Sequence, residues 1–359
     1  MDKVKVLTYF NSDNFGSVLQ AYAINTYINL IGYDCEIIDY KKPKVQKLYS
    51  IFNLPTNRFL FFMNIYNCIH LNALVKRKKN YAVFRKEMFR IYHNRSLVRN
   101  DLNTIDGDIF LVGSDQVWNP DIVDFDDSYL LTFTSKKKIA YAASFGPKGQ
   151  PSKFVELFKG QLGLFESVMV REQKAVSFCS QSLNIEATLV CDPVFLLAKC
   201  KWEAIEKKVD GLQSEYILCY FAGGVSHKFE QYTIELSKKM GCQRILLISD
   251  WHNIFKPGKR LYSAGPAEFI YLIRNAKIVC TNSFHATAFS IIFEKYLIVD
   301  DSNNDERIRT ILDYSGNKNC YFDSSVKMIQ KAVSTNIEFI KFVENSKQLL
   351  RQALGEKND

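Results

Sequence analysis

Strand-like runs rich in β-branched residues alternate with helix-like segments along this chain, break off, and then resume. The first series reads "KVKVLTYF", "CEIIDY", "DIFLVGSD", "KIAYAASFG", "SVMVRE" and "ATLVCDP". The segment after the first run, "SVLQAYAINTYINLIG", has apolar residues at helical spacing and ends in Gly32, which suits a left-handed C-cap. After "CDPVFLL" comes a charged stretch, "KCKWEAIEKKVDGLQSE". A second series follows: "YILCYFAGG", a helix near 227–240, "RILLISD", "AEFIYLIRNA", "KIVCTN", a helix carrying His285, and "YLIVDD". Such alternation predicts parallel sheets layered with helices. The 359 residues exceed what one hydrophobic core serves. The expected architecture is therefore α/β, with one doubly wound domain over 1–197 and a second, smaller α/β domain over 198–330. An amphipathic segment near 324–354 predicts a terminal helix, in residues 331–359, folding back on the first domain. In open parallel sheets ligands bind at the C-terminal strand ends, so two facing domains place a site between them.

Composition narrows the function classes. No run approaches the roughly 20 apolar residues of a spanning helix. The opening "MDKVKVLTYFN" carries charges where a signal peptide is apolar, which predicts a cytoplasmic protein. Nine scattered cysteines without a C-x-x-C pair read as reduced core residues rather than disulfides or zinc ligands. A net charge of +9 favours anionic partners. Much of it lies between Arg58 and Arg95, where an aromatic stretch precedes a basic one and Glu87 is the only acid. That insertion reads first as a helical pair with a solvated basic rim. Its functional reading is peripheral contact with an anionic bilayer at the inner membrane face. No nucleic-acid-reading motif accompanies the charge, so nucleic acid is not an expected partner.

Four motifs fall at the strand ends. In "YFNSDNFGSVLQAYA", Asn14, Gly16 and Ser17 open a helix whose N-terminus suits an anion or a polar sugar, although a plain capped turn explains them as well. In "DIFLVGSDQVWNPD", Asp115 stands where a carboxylate accepts a proton from a hydroxyl nucleophile, with Ser114 and Gln116 beside it and Trp118 placed to stack on a sugar. An ordinary turn and a core tryptophan are the plainer alternative. In "SVMVREQKA", Arg171 follows a strand and could clamp a carboxylate or phosphate, or pair with a surface acid.

The fourth is "KIVCTNSFHATAFSII". Asn282 and Ser283 read as strand end and N-cap, so His285 lies in the first helical turn, where the dipole opposes its protonation. A protonated imidazole there requires a bound anion, beside which it becomes a proton donor; a satisfied core histidine on an apolar helix is the plainer alternative. Downstream, Arg307 or Arg309 supplies a second cation, with surface pairing to nearby acids as the alternative.

Taken in order, "NFGSVLQAYA", "GSDQVWNP", "YAASFG", "VRE", "CDPVFLL" and "TNSFHATAFSII" resemble the polysaccharide pyruvyl transferase family across nearly all of residues 4–315. The resemblance implies two Rossmann-like domains facing a cleft, similar to B-type glycosyltransferases. It implies transfer of the enolpyruvyl group of phosphoenolpyruvate to two hydroxyls of a sugar, forming a pyruvate ketal in capsular or cell-surface polysaccharide synthesis. Phosphoenolpyruvate is then a donor substrate, with no cofactor and no metal. The acceptor is expected to be a sugar such as galactose on an undecaprenyl-diphosphate carrier, bound on the first domain by Asn14, Gly16, Ser17, Ser114, Gln116 and Trp118, with the donor on the second domain. By position, Arg171 matches a phosphoenolpyruvate ligand, His285 the general acid, and Arg307 a site where lysine is common; Asn282 and Ser283 belong to the same donor region. Two departures stand out. Ser17 replaces an acid found in members with a Gly-Asp-Glu opening, and Ser283 replaces an arginine two places before the histidine. Asp115 is therefore the expected base. A nucleotide-sugar glycosyltransferase and a noncatalytic glycan-binding protein are the rival readings.

Overall fold

A computed structural model describes residues 2–42, 47, 49–122, 125–147, 154–249, 251–254, 256–322 and 333–356. Among them the chain runs through β1 (Lys3–Leu7), α1 (Phe15–Leu30), β2 (Asp34–Ile37), α2 (Arg58–Ile69), α3 (Leu71–Met88), β3 (Ile109–Val112), β4 (Lys137–Ala143), α4 (Val155–Leu162), β5 (Ser167–Val170), α5 (Gln173–Phe178) and β6 (Thr188–Leu189). It continues through α6 (Lys199–Glu203), β7 (Tyr216–Tyr220), α7 (His227–Met240), β8 (Gln243–Leu247), β9 (Lys259–Leu261), α8 (Pro266–Asn275), β10 (Ile278–Thr281), α9 (Phe284–Ile292), β11 (Tyr296–Val299), α10 (Glu306–Ser315) and α11 (Ile337–Leu354).

The strands form two wholly parallel sheets, ordered β2-β1-β3-β4-β5-β6 and β11-β10-β7-β8-β9. Each order reverses once, at β1/β3 in the first sheet and at β7/β10 in the second, and loops diverge at such a reversal to leave a crevice. Apolar strand residues are buried on both faces, as helices on either side of a parallel sheet require. Short β9 was not among the expected strands, because its three residues "KRL" carry no apolar run.

One hydrophobic cluster runs from Val4, Val6 and Leu111 through α1 to Leu218 and Val279 of the second sheet. Phe15 stacks on Phe269 with centroids 4.6 Å apart, and Trp202 sits between Tyr22 and Phe289 at 5.6 and 4.8 Å. Helix α1 thus joins the two halves along one wall of the crevice.

The basic insertion is a helical pair, α2 and α3. Part of its charge is structural. Arg77 donates to the Asp13 carbonyl (3.0 Å) and to the Ile248 carbonyl (3.1 Å), while Arg85 donates to the Ser12 carbonyl (3.1 Å). These bonds tie the loop before α1 to α3 and to the second half. Helix α11 packs against β4 and α10, and its Ser346 hydroxyl accepts from the Cys191 amide at 3.0 Å. The expected start of this helix at 324 and the expected domain boundary at 330 lie outside the described residues. No described helix is long and apolar enough to cross a membrane.

Candidate active site

Loops from both reversal points meet at the N-terminal ends of α1 and α9. Helix α9 is capped by Ser283, whose Oγ accepts from the Ala286 amide at 3.5 Å and whose own amide donates to Thr281 Oγ1 at 2.9 Å. Asn282 accepts from the Ala222 amide and donates to the Gly224 carbonyl, both at 2.8 Å. Both side chains were expected to hold the donor. They instead stitch the loop after β10 to the loop after β7, because a buried amide must satisfy both of its ends. Their work is to fix the first turn of α9, which presents His285 and leaves first-turn N–H groups without helical partners.

His285 meets α1 at Gly16. A Cβ at position 16 would stand 2.0 Å from His285 Nδ1 and 2.5 Å from Cγ, so glycine is needed for the imidazole to occupy that space. Gly16, expected on the acceptor side, is the floor under the histidine.

Behind the ring lies a fully buried cluster. Arg171 Nη1 donates to Asp192 Oδ2 at 2.6 Å and to Ser114 Oγ at 3.0 Å, and Ser114 donates to the same carboxylate at 2.9 Å. His285 Nε2 is 3.8 Å from Asp192 Oδ2. The Arg171 guanidinium lies over the Phe284 ring at 4.5 Å. Ser114, expected to touch the acceptor, is wholly buried in this cluster. Asp192 was not singled out from the sequence. It lies in "CDPVFLL", where an acid after a strand looks like an N-cap, and its Oδ1 does cap the following turn through the Val194 amide at 3.1 Å.

Among the described residues, three buried polar atoms in this cluster have no hydrogen-bond partner: Arg171 Nε, Arg171 Nη2 and His285 Nε2. Unpaired buried donors are costly and uncommon, and they mark a place where an anion fits. Burial pushes the His285 pKa down to about 4; Asp192 and Asp115 pull it up, while Arg171 and Arg307 repel the proton. The ring is therefore neutral at neutral pH until further negative charge arrives. Burial chiefly, rather than the helix dipole alone, opposes its protonation. Burial would also raise the Asp192 carboxyl, but Arg171 and His285 hold it below the ordinary range. Glu172 is pushed up to about 7 by burial, against the opposing pull of Arg171, a Ser144 hydrogen bond and Arg307.

Arg307 is the second residue of α10, its guanidinium bound to the N-cap Asp305 at 2.9 and 2.5 Å. It is among the charges acting on both His285 and Glu172. Arg309 instead bonds Asp301 at 3.0 Å and is more exposed. Of the two arginines, Arg307 faces the site, already paired with an acid.

On the other side of His285, Ser17 Oγ donates to Asp115 Oδ2 in a buried bond. Asp115 has φ +80°, a left-handed conformation uncommon for non-glycine residues, and its Oδ1 accepts from the Gln116 amide at 2.8 Å. The chain thereby turns the carboxylate toward a cavity of about 180 Å³ that Asn14, Ser17, Asp115 and Gln116 line together with Tyr9, Tyr40, Tyr49 and Tyr129. Lys42 also lines it, its ammonium 5.1 Å from the Tyr129 ring centroid. The tyrosines were not anticipated, because they come from separate loops without a common motif. Trp118 does not reach this cavity. It is 0% exposed, with its indole N–H donating to the Tyr129 carbonyl at 3.0 Å, so the core reading holds and the sugar-stacking one fails. Among the described residues, no group of His, Cys, Asp and Glu is arranged to hold a metal ion.

Two facing parallel α/β halves around a crevice define the B-type glycosyltransferase fold. Solved structures bear this out over full length. The UDP-GlcNAc 2-epimerase of Methanocaldococcus jannaschii in complex with UDP-GlcNAc and UDP superposes with TM-score 0.52 at 12% identity, covering 99% of each chain. A putative UDP-N-acetylglucosamine 2-epimerase from Listeria monocytogenes gives 0.53 at 12% identity, covering 100% of this chain and 98% of its own. At such identity the likeness concerns the fold alone. No curated protein matches the chain. Residues 14–299 match the polysaccharide pyruvyl transferase family, and the chain belongs to it. That stretch contains Gly16, Asp115, Arg171, Asp192 and His285.

Proposed function

We propose that the protein transfers the enolpyruvyl group of phosphoenolpyruvate to two hydroxyls of one sugar, forming a cyclic ketal in the synthesis of a capsular or other cell-surface polysaccharide. The observation that carries this reading is the set of unpartnered donors on Arg171 beside an imidazole that burial keeps neutral. A small molecule with both a carboxylate and a phosphate supplies acceptors for the first, and its negative charge favours proton uptake by the second.

In this reading Arg171 binds the donor's anionic groups with help from Arg307 and the N-terminus of α9. His285, charged once the donor is present, gives its proton to the C3 methylene while a sugar hydroxyl adds to C2. Asp115 accepts the hydroxyl proton. The phosphate then leaves C2 and the second hydroxyl closes the ring. Of the two hydroxyl protons released, one balances that gained at C3 and the other goes to the departing phosphate. Preorganised cations stabilise the anions as C2 becomes cationic. The tyrosine-lined cavity beside Asp115 holds the acceptor, for which a galactose-type sugar on a lipid diphosphate is our candidate.

The test is mass spectrometry of galactose-terminated, lipid-linked oligosaccharides after incubation with the protein and phosphoenolpyruvate. A product heavier by pyruvate less one water, with phosphate released in equal amount, supports the proposal. Turnover of a nucleotide sugar with no ketal overturns it.

A further inference from the structure

Helix α2 is apolar on two sides. Its inner side packs Met63 and Tyr66 against the core cluster of the second sheet, while Asn64 exchanges bonds with the Asn53 backbone (2.7 and 3.3 Å) and Asn67 donates to the Ile51 carbonyl (2.6 Å). Its outward stripe is Phe61, Ile65 and Ile69, spaced by four residues and 59%, 46% and 73% exposed. Not one residue of the helix is buried. A helix packed on one face against a globular protein keeps its other face polar, and this second apolar stripe, with Leu54 also exposed, exceeds the scattered apolar exposure of an ordinary surface.

Charge says what covers it. Residues 41–86 hold eleven Lys and Arg and no Asp or Glu. Arg77 and Arg85 are spent on the loop before α1, but Arg58 at the start of α2 and Lys76, Lys79 and Lys86 on α3 are exposed. An apolar stripe flanked by cations without one anion complements an anionic interface, where acyl chains take the side chains and phosphate headgroups the charges. A second copy of this chain would bring the same cations into mutual repulsion.

We propose that the α2–α3 hairpin seats the protein on the surface of an anionic phospholipid bilayer, with Phe61, Ile65 and Ile69 inserted and Lys76, Lys79 and Lys86 at headgroup level. A second cavity of about 400 Å³ lies along the inner side of α2, lined by Phe59, Leu60 and Met63, and it shares Tyr49 with the acceptor cavity. Docking there sets a membrane-borne acceptor next to Asp115; this last clause alone rests on the function proposed above.

The test is cosedimentation of the full chain with vesicles of phosphatidylcholine alone and of phosphatidylcholine with phosphatidylglycerol, without donor or acceptor. Binding is expected to the anionic vesicles, to weaken with salt, and to fall roughly tenfold or more in the F61S/I65S/I69S variant. K76Q/K79Q/K86Q is expected to weaken anionic binding alone. Unchanged thermal unfolding of both variants shows that they fold. Absence of vesicle binding, equal binding to neutral and anionic vesicles, or unchanged binding by the variants overturns the proposal. So does light scattering that shows a dimer which the apolar variant dissolves. Because no catalysis is read, failure here is distinct from failure of the pyruvyl-transfer reading.

Discussion

Gly16 and His285 occupy adjoining space so closely that a methyl group on the first would overlap the imidazole of the second, at 2.0 Å from Nδ1. The two residues come from different halves of the molecule, so the proposed acid is positioned by the wall opposite its own helix. Gly16→Ala must displace the ring or open the crevice. A displacement of about 1 Å at a reacting group costs on the order of 100-fold in rate. Ketal formation by this variant is expected to fall by about that factor while its unfolding temperature stays near that of the parent.

Asp192 positions Arg171 and lies near His285 without reaching the cleft. Asp192→Asn leaves the guanidinium buried without a counter-charge, at a stability cost of about 3–5 kcal/mol. Arg171→Lys keeps the charge but loses the fork that meets a carboxylate and a phosphate. The expected result for R171K is a donor KM raised by roughly 10- to 100-fold with a smaller change in kcat, read by steady-state phosphate release.

Asp115→Asn retains the shape of the side chain and removes the base. A loss of about 100-fold or more in kcat with acceptor KM little changed is expected. Ser17→Ala frees one oxygen of the same carboxylate and tests positioning alone; its pH–rate profile should move while activity is only partly lost. Activity of D115N equal to the parent would remove Asp115 from the reaction.

Two buried groups give opposite pH dependences of stability. Glu172, raised to about 7, holds a proton in the folded state that the unfolded chain releases near 4.5, so its contribution is full below 4.5 and is lost as pH rises through 7. His285, lowered to about 4, stays neutral while the unfolded chain protonates near 6.5, so stability falls as pH drops from 6.5 to 4. The effects oppose each other between about 4.5 and 6.5. Relative to the parent, Glu172→Gln should gain a rise in stability with pH, and His285→Gln a fall, each on the order of 1–3 kcal/mol. Urea unfolding at several pH values measures both slopes.

Much of this was legible in the chain itself. The broken and resumed alternation of strands and helices locates both sheets, and the insertion at 58–95 reads as a helical pair. His285 and Arg171 stand out because a charged side chain after an apolar strand is placed by the sheet, whatever the tertiary detail. Asp192 escapes notice and Ser114 reads as an acceptor contact because they lie 21 and 57 positions from Arg171, and only packing brings the three together. Trp118 was read toward the sugar because a tryptophan beside a turn looks the same in a core or a cleft. The tyrosine cavity has no linear signature at all. Nor does the stretch rich in Phe and Ile reveal that α2 packs Met63 and Tyr66 inward and leaves Phe61, Ile65 and Ile69 outside, since the sheet and loop it meets are not encoded within it.

The measurement that bears most directly on the central claim is calorimetric titration of the protein with phosphoenolpyruvate at pH 7.5 in buffers of different ionisation enthalpy. The site as described predicts binding with uptake of about one proton, as the donor's anions charge a ring that is neutral in their absence. It also predicts weaker binding as pH rises, and loss of the uptake in His285→Gln. Binding without proton uptake, uptake unchanged in that variant, or no binding to the parent protein would contradict the account.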